Sequence, residues 1–141
     1  MTKLLYIQTL VFSIVLAHIF SMPGHILVVD DDPDICDILR DRLESYGYPV
    51  EVAVDGRAAI VSINRALPHG LILDIQMPHI DGLEVLRQIR ESHPLVPVIM
   101  ITADISRISE KVIQAAQEVL IKPIEGIKFK EAVRRLFGSP L

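Results

Sequence analysis

The sequence predicts an α/β fold in which five strands alternate with five helices to build a mostly parallel sheet. Three observations predict it. Short, aliphatic, β-branched runs recur at 26–30, 50–54, 71–74, 96–102 and 119–121. Between them apolar residues return at intervals of three and four, the spacing of one helix face. Acid–proline and acid–glycine pairs mark the passage from strand to helix. Strict alternation implies right-handed βαβ units, with helices covering both faces of the sheet.

The first 22 residues stand apart. Leu4 to Phe20 is almost wholly apolar, broken by Gln8, Thr9, Ser13 and His18, with Lys3 in front. The stretch is short for a membrane span, which needs about 20 apolar residues. Lys3 and the apolar run fit a signal peptide, but no small-x-small cleavage site precedes Met22. A mis-assigned start, with Met22 as the natural first residue, is the preferred reading. If the segment is real it should be helical, with apolar side chains on nearly every face, and it would act as an anchor or pack on a partner.

From His25 the elements follow in order. Ile26 to Asp30 is a buried strand, and Asp32-Pro33 then reads as a cap and a first helical position. Ile35, Ile38, Leu39 and Leu43 form the inner face of that helix, which Gly47 closes. Val50 to Val54 is the second strand, and Asp55-Gly56 opens a helix carrying Ile60, Ile63 and Leu67. Leu71 to Asp74 is the third, followed by Asp81-Gly82 and the stripe Leu83, Leu86, Ile89. Val96 to Thr102 is the fourth, followed by a helix over 104–116 with Ile105, Ile108 and Val112 inward. Val119 to Ile121 is the last, before a helix with Phe129, Val133, Leu136 and Phe137.

Composition narrows the function classes. The chain has 141 residues, half of them apolar and only 5% aromatic, so aliphatic side chains fill one core. A net charge of -4 argues against direct nucleic-acid binding. The single cysteine, Cys36, excludes an internal disulfide and fits a reducing, cytoplasmic compartment. Its place on an apolar helix face makes it a small core residue.

The chemistry lies at the strand ends. In a parallel sheet, ligands bind outside the carboxyl ends of the strands. Asp30, Asp31, Asp74 and Thr102 all fall there, although far apart in sequence. Several carboxylates at one edge repel one another unless a cation intervenes, and at least one should hold its proton more tightly than usual. Hard oxygen donors point to Mg²⁺. Asp32 reads as a helix cap rather than a ligand.

The run Ile26-Leu27-Val28-Val29-Asp30-Asp31, the run Asp74-Ile75-Gln76-Met77-Pro78-His79-Ile80-Asp81-Gly82, the triplet Ile101-Thr102-Ala103 and the pair Lys122-Pro123 occur in one order and spacing. Together they resemble the receiver domain of two-component response regulators, over roughly residues 25–137. The domain is therefore taken as 23–141, after the extension at 1–22. The resemblance implies a flavodoxin-like sheet in the order 2-1-3-4-5. It also implies that Asp74 is the phosphoacceptor for a histidine kinase phosphohistidine. Asp31 would ligate Mg²⁺ directly and Asp30 through water, joined by Asp74 and the backbone carbonyl of Gln76. Thr102 and Lys122 would bind phosphoryl oxygens, and Lys122–Pro123 would be a cis peptide. Gln76 and Asp104 would flank the site and tune water access.

Two departures from the family pattern matter. The position three before the lysine, often aromatic, is Val119, and Ala116-Gln117-Glu118 replaces the usual Gly-Ala step. Output is therefore expected through movement of the helix at 104–116 with Thr102. The responsive surface is expected within Ile105–Phe137. The sequence reaches Leu141 soon after the last helix, so a stand-alone switch or relay is expected. Its partners would be a sensor histidine kinase or phosphotransfer protein and an effector. Alternatives are an interaction module without phosphotransfer, or a phosphohydrolase with an aspartyl nucleophile. The Asp-x-Asp pattern of such hydrolases is absent, since Gln76 stands at the third position.

Overall fold

A computed structural model describes residues 2–20 and 24–138. Its elements are α1 (Lys3–Phe20), β1 (Ile26–Val29), α2 (Pro33–Ser45), β2 (Val50–Ala53), α3 (Gly56–Arg65), β3 (Gly70–Asp74), α4 (Gly82–Ser92), β4 (Val98–Thr102), α5 (Glu110–Ala115), β5 (Glu118–Ile121) and α6 (Gly126–Phe137). A 3₁₀ turn at Ile105–Arg107 precedes α5. The strands pair in parallel in the order β2-β1-β3-β4-β5, as the family resemblance implies.

The two-residue period of a strand sorts side chains onto two faces. Leu27, Val29, Leu71, Leu73, Val98 and Met100 pack under α3, α4 and α5. Ile26, Val28, Ile72, Ile99 and Ile101 pack under α2 and α6, against Cys36, Leu39, Phe129 and Val133. Every residue of β1, β3 and β4 is buried, as expected for strands covered on both sides. The edge strands β2 and β5 are only partly covered.

The helix starts follow the sequence signals. Asp32, Asp55 and Asp81 each cap a helix, accepting from the backbone N–H of Asp34, of Ala58, and of both Leu83 and Glu84. Three details differ from expectation. The helix expected over 104–116 is broken. Asp104 caps the 3₁₀ turn through Ser106 N–H, and Ser109 caps α5 through Val112 N–H. Two capping residues so close together each start an element, so Ile105 is exposed rather than inward. Leu67 lies beyond α3 and is exposed, because the residue before Pro68 disfavours the helical conformation. Ile38 is also half exposed, and Cys36 takes its place on the buried face of α2.

The segment before β1 is helical, as expected, and Leu4, Leu5, Tyr6, Phe12 and Ile14 of α1 are exposed. Among the described residues no helix is long and apolar enough to cross a membrane. The start inferred at Met22-Pro23 and the end at Leu141 lie outside the described residues.

Candidate phosphoacceptor site

The parallel register brings all the strand-end residues to one edge. Val29 pairs with Leu73, Asp74 with Ile101, and Thr102 with Ile121. Asp30 and Lys122 are the next residues after β1 and β5. Asp30 N–H donates to the Ala53 carbonyl at 3.2 Å, and Lys122 N–H to the Thr102 carbonyl at 2.8 Å. The backbone ladder therefore fixes where these side chains leave the sheet. The Lys122–Pro123 peptide is cis, as the resemblance implies.

Carboxylate oxygens of Asp30, Asp31 and Asp74 come within 4.8 Å of one another. Asp30 and Asp74 are almost fully buried, at 1% and 4% exposure, while Asp31 faces solvent. Buried charges need partners, and here each oxygen of the buried pair has one. Asp30 Oδ1 accepts from Asp32 N–H at 2.9 Å, and Asp74 Oδ1 from Gln76 N–H at 3.2 Å. The Lys122 ammonium spans both acids, at 3.0 Å from Asp30 Oδ2 and 3.5 Å from Asp74 Oδ2. The expected residues therefore do converge.

Burial, and then the Asp30 charge, push the Asp74 carboxyl up to about 6, against the opposing pull of Lys122. At Lys122 desolvation works to release the proton. The hydrogen bond to Asp30 and the charges of Asp74 and Asp30 outweigh it, so the ammonium is held more tightly than usual. A raised carboxyl pKa means that the folded state binds the proton better than the unfolded chain does. This contribution to stability is complete below about 4 and is lost as pH rises through about 6. Asp74→Asn removes it. In metal-free buffer, the stability of the variant relative to wild type should therefore rise from pH 4 to pH 7, by about 1–3 kcal/mol. Denaturant unfolding across that range measures the gap, and a pH-independent gap contradicts the assignment.

Thr102 is fully buried at the end of β4. Its Oγ1 accepts from Asp104 N–H at 3.0 Å and lies 3.1 Å from the Asp104 carbonyl, to which it donates. The Asp104 carboxylate turns away to Ser106, whose hydroxyl and backbone N–H hold it below the usual carboxylate range. Gln76 is exposed beside Asp74.

Two contacts were not visible in the sequence. The Arg107 guanidinium donates to Asp81 Oδ2 at 2.8 Å, joining the loop after Thr102 to the cap of α4. No local signal marks Arg107 for this. Gln117 Oε1 accepts from Val98 N–H at 2.7 Å and from Arg90 at 2.8 Å, where a Gly-Ala step would offer no side chain. The departure from the family pattern was the available signal there.

The donor set suits Mg²⁺. Three carboxylates in mutual reach, two of them buried, offer hard oxygens and carry more negative charge than one lysine offsets.

Residues 26–134 match the family model described as the response regulator receiver domain. The chain is 44% identical over 105 residues to the response regulator MprA of Mycolicibacterium vanbaalenii, covering 72% of this chain and 45% of that protein. It is 37% identical over 119 residues to the transcriptional regulatory protein TrcR of Mycobacterium tuberculosis, covering 82% of this chain and 45% of that protein. The chain thus spans about half the length of these curated relatives. Among solved structures, the response regulator TrrA of Thermotoga maritima, in complex with Mg²⁺-BeF, matches with a TM-score of 0.75 and 35% identity. That match covers 80% of this chain and 98% of TrrA. The Vibrio cholerae chemotaxis protein CheY4 matches with a TM-score of 0.72 and 27% identity, covering 81% and 98%.

Proposed function

Because this chain belongs to the response regulator receiver domain family, whose members serve phosphorylation-dependent signalling, we propose that Asp74 accepts a phosphoryl group from a histidine kinase or phosphotransfer protein. The observation that carries this reading is the Lys122 ammonium set between two buried carboxylates, 3.0 Å from Asp30 and 3.5 Å from Asp74. A structural ion pair needs one acid for one base. A second buried acid, held at the end of a strand, is surplus to folding and costs stability. Its placement makes sense as a reactive group.

In the reaction, an Asp74 oxygen attacks the phosphorus of the donor. The new P–O bond gives an acyl phosphate, and the P–N bond of the phosphohistidine breaks with its electron pair staying on the ring nitrogen. A donor ring protonated on its other nitrogen therefore leaves as neutral imidazole. Lys122 stays charged and faces the oxygens that gather charge. The Gln76 N–H holds the other Asp74 oxygen and so orients the carboxylate. Thr102 hydrogen-bonds a phosphoryl oxygen once its hydroxyl leaves the Asp104 carbonyl. Asp30, Asp31, Asp74 and the backbone carbonyl of Gln76 would hold Mg²⁺, which when bound offsets repulsion between carboxylate and phosphoryl oxygens. The protein has no other substrate in this reading. It catalyses only its own phosphorylation and dephosphorylation, and the phosphorylated surface is read by an effector.

Incubation with Mg²⁺ and a small phosphodonor tests the reading. Wild type should gain one acid-stable, base-labile phosphoryl group, and chelation of the metal should stop it. Persistent labelling of Asp74→Asn, or none of wild type, rejects the assignment.

A further inference from the structure

We propose that Arg107 and Asp81 form a clasp between the turn after β4 and the start of α4 that sets how readily Asp74 is phosphorylated. The inference rests on the phosphotransfer reading and adds two positioning residues to it. Asp81 divides its carboxylate. Oδ1 caps α4 through Leu83 N–H at 3.0 Å and Glu84 N–H at 3.2 Å, while Oδ2 takes Arg107 at 2.8 Å.

Each side of the clasp is tied to the chemistry. On one side, α4 is seated on the acceptor strand: Gly82 N–H donates to the Ile75 carbonyl at 2.9 Å. On the other, Arg107 ends the 3₁₀ turn that Asp104 begins, and its N–H donates to the Asp104 carbonyl at 3.1 Å. That same carbonyl accepts the Thr102 hydroxyl at 3.1 Å. Thr102 cannot turn its proton to a phosphoryl oxygen without giving up this bond. A turn pinned to α4 holds the Asp104 carbonyl in place and keeps Thr102 engaged. The clasp therefore favours the unphosphorylated state. It also differs from an ordinary surface pair, because it links the segments that follow the strands ending in Asp74 and Thr102.

Both side chains are about one-third exposed, so solvent screens the pair and the effect is modest. Arg107→Gln and Asp81→Asn should each speed phosphorylation by a small phosphodonor roughly two- to five-fold, the range set by such pairs. Asparagine keeps the oxygen that caps α4, so the helix start survives in that variant. The double variant should be no faster than either single one, because both remove the same contact. Arg107→Lys, which keeps the cation, should return towards the wild-type rate. Simple loosening of the fold would not follow charge in this way.

A second readout needs no phosphotransfer. Amide exchange at Arg107 and Ile108 should quicken in both single variants of the unphosphorylated protein. Rates within experimental error of wild type, additive effects in the double variant, or unchanged exchange each overturn the clasp. Wild type that takes no label at Asp74 overturns the phosphotransfer reading instead, and the exchange result then judges the contact alone.

Discussion

Lys122→Met should lower the rate of Asp74 phosphorylation by about two orders of magnitude and also weaken the metal-free fold. The rate effect follows from position. Lys122 Nζ lies 3.5 Å from Asp74 Oδ2, and in the proposed reaction its charge would face the region where the transferring group concentrates negative charge. Losing one preorganised electrostatic donor costs a factor of about 10²–10³ in well-studied sites. The stability effect has the same origin. Asp30 and Asp74 are almost fully buried, and without the ammonium they face each other with only backbone N–H donors to steady them. Breaking a buried ion pair by removing one partner costs about 3–5 kcal/mol. Here the cost is smaller at low pH, because Asp74, already pushed up to about 6, takes a proton once Lys122 is gone. Unfolding at pH 5 and pH 7.5 should therefore show the larger loss at pH 7.5. Mg²⁺ should stabilise the variant more than wild type, since a dication supplies the missing charge. Equal losses at both pH values would show that the lysine acts by packing alone.

The parts legible in the sequence were those set by local rules and by sheet geometry. Asp30, Asp31, Asp74 and Thr102 were readable because buried parallel strands end at a common crevice, and polar residues at those ends must meet. Lys122 was marked only by its place before Pro123 in the family pattern. The aspartate caps were readable because Asp32, Asp55 and Asp81 stand directly before their helices. The unreadable parts depend on contacts between distant segments or on competition between adjacent signals. Ile105, Ile108 and Val112 have helical spacing, yet Ser109 captures the helix start and leaves Asp104 to cap a separate turn. Arg107 has no local mark, because its partner Asp81 lies in the loop after a different strand. Gln117 was flagged only as a departure. In the structure its amide oxygen serves Val98 and Arg90 at once, tying β4 and α4 to the start of β5.

Gly82→Ala should be among the most damaging single-methyl changes in this domain. The reason is the fit between α4 and the acceptor strand. A Cβ at position 82 would lie 2.0 Å from the Asp74 carbonyl oxygen and 2.9 Å from Ile75 Cα. These are backbone atoms of the sheet, so no side chain can rotate away. Either α4 lifts off its own N-terminal turn or the end of β3 moves. Overpacking that must be relieved through backbone shifts costs about 1–3 kcal/mol, and this site belongs at the upper end of that range. The displaced atoms include those of Asp74, the proposed phosphoacceptor. Phosphorylation should therefore fall at least about ten-fold even at temperatures where the variant is fully folded, because small misplacements cost rate steeply. Gly126→Ala supplies the control. Nothing lies within 4 Å of a Cβ at position 126, the first residue of α6. That change should leave phosphorylation untouched and stabilise the fold by a few tenths of a kcal/mol, as alanine does over glycine in a helix. Chemical unfolding and Asp74 labelling of both variants separate the two cases. Equal behaviour of the two alanines would mean that the seating of α4 on β3 does not position the acceptor.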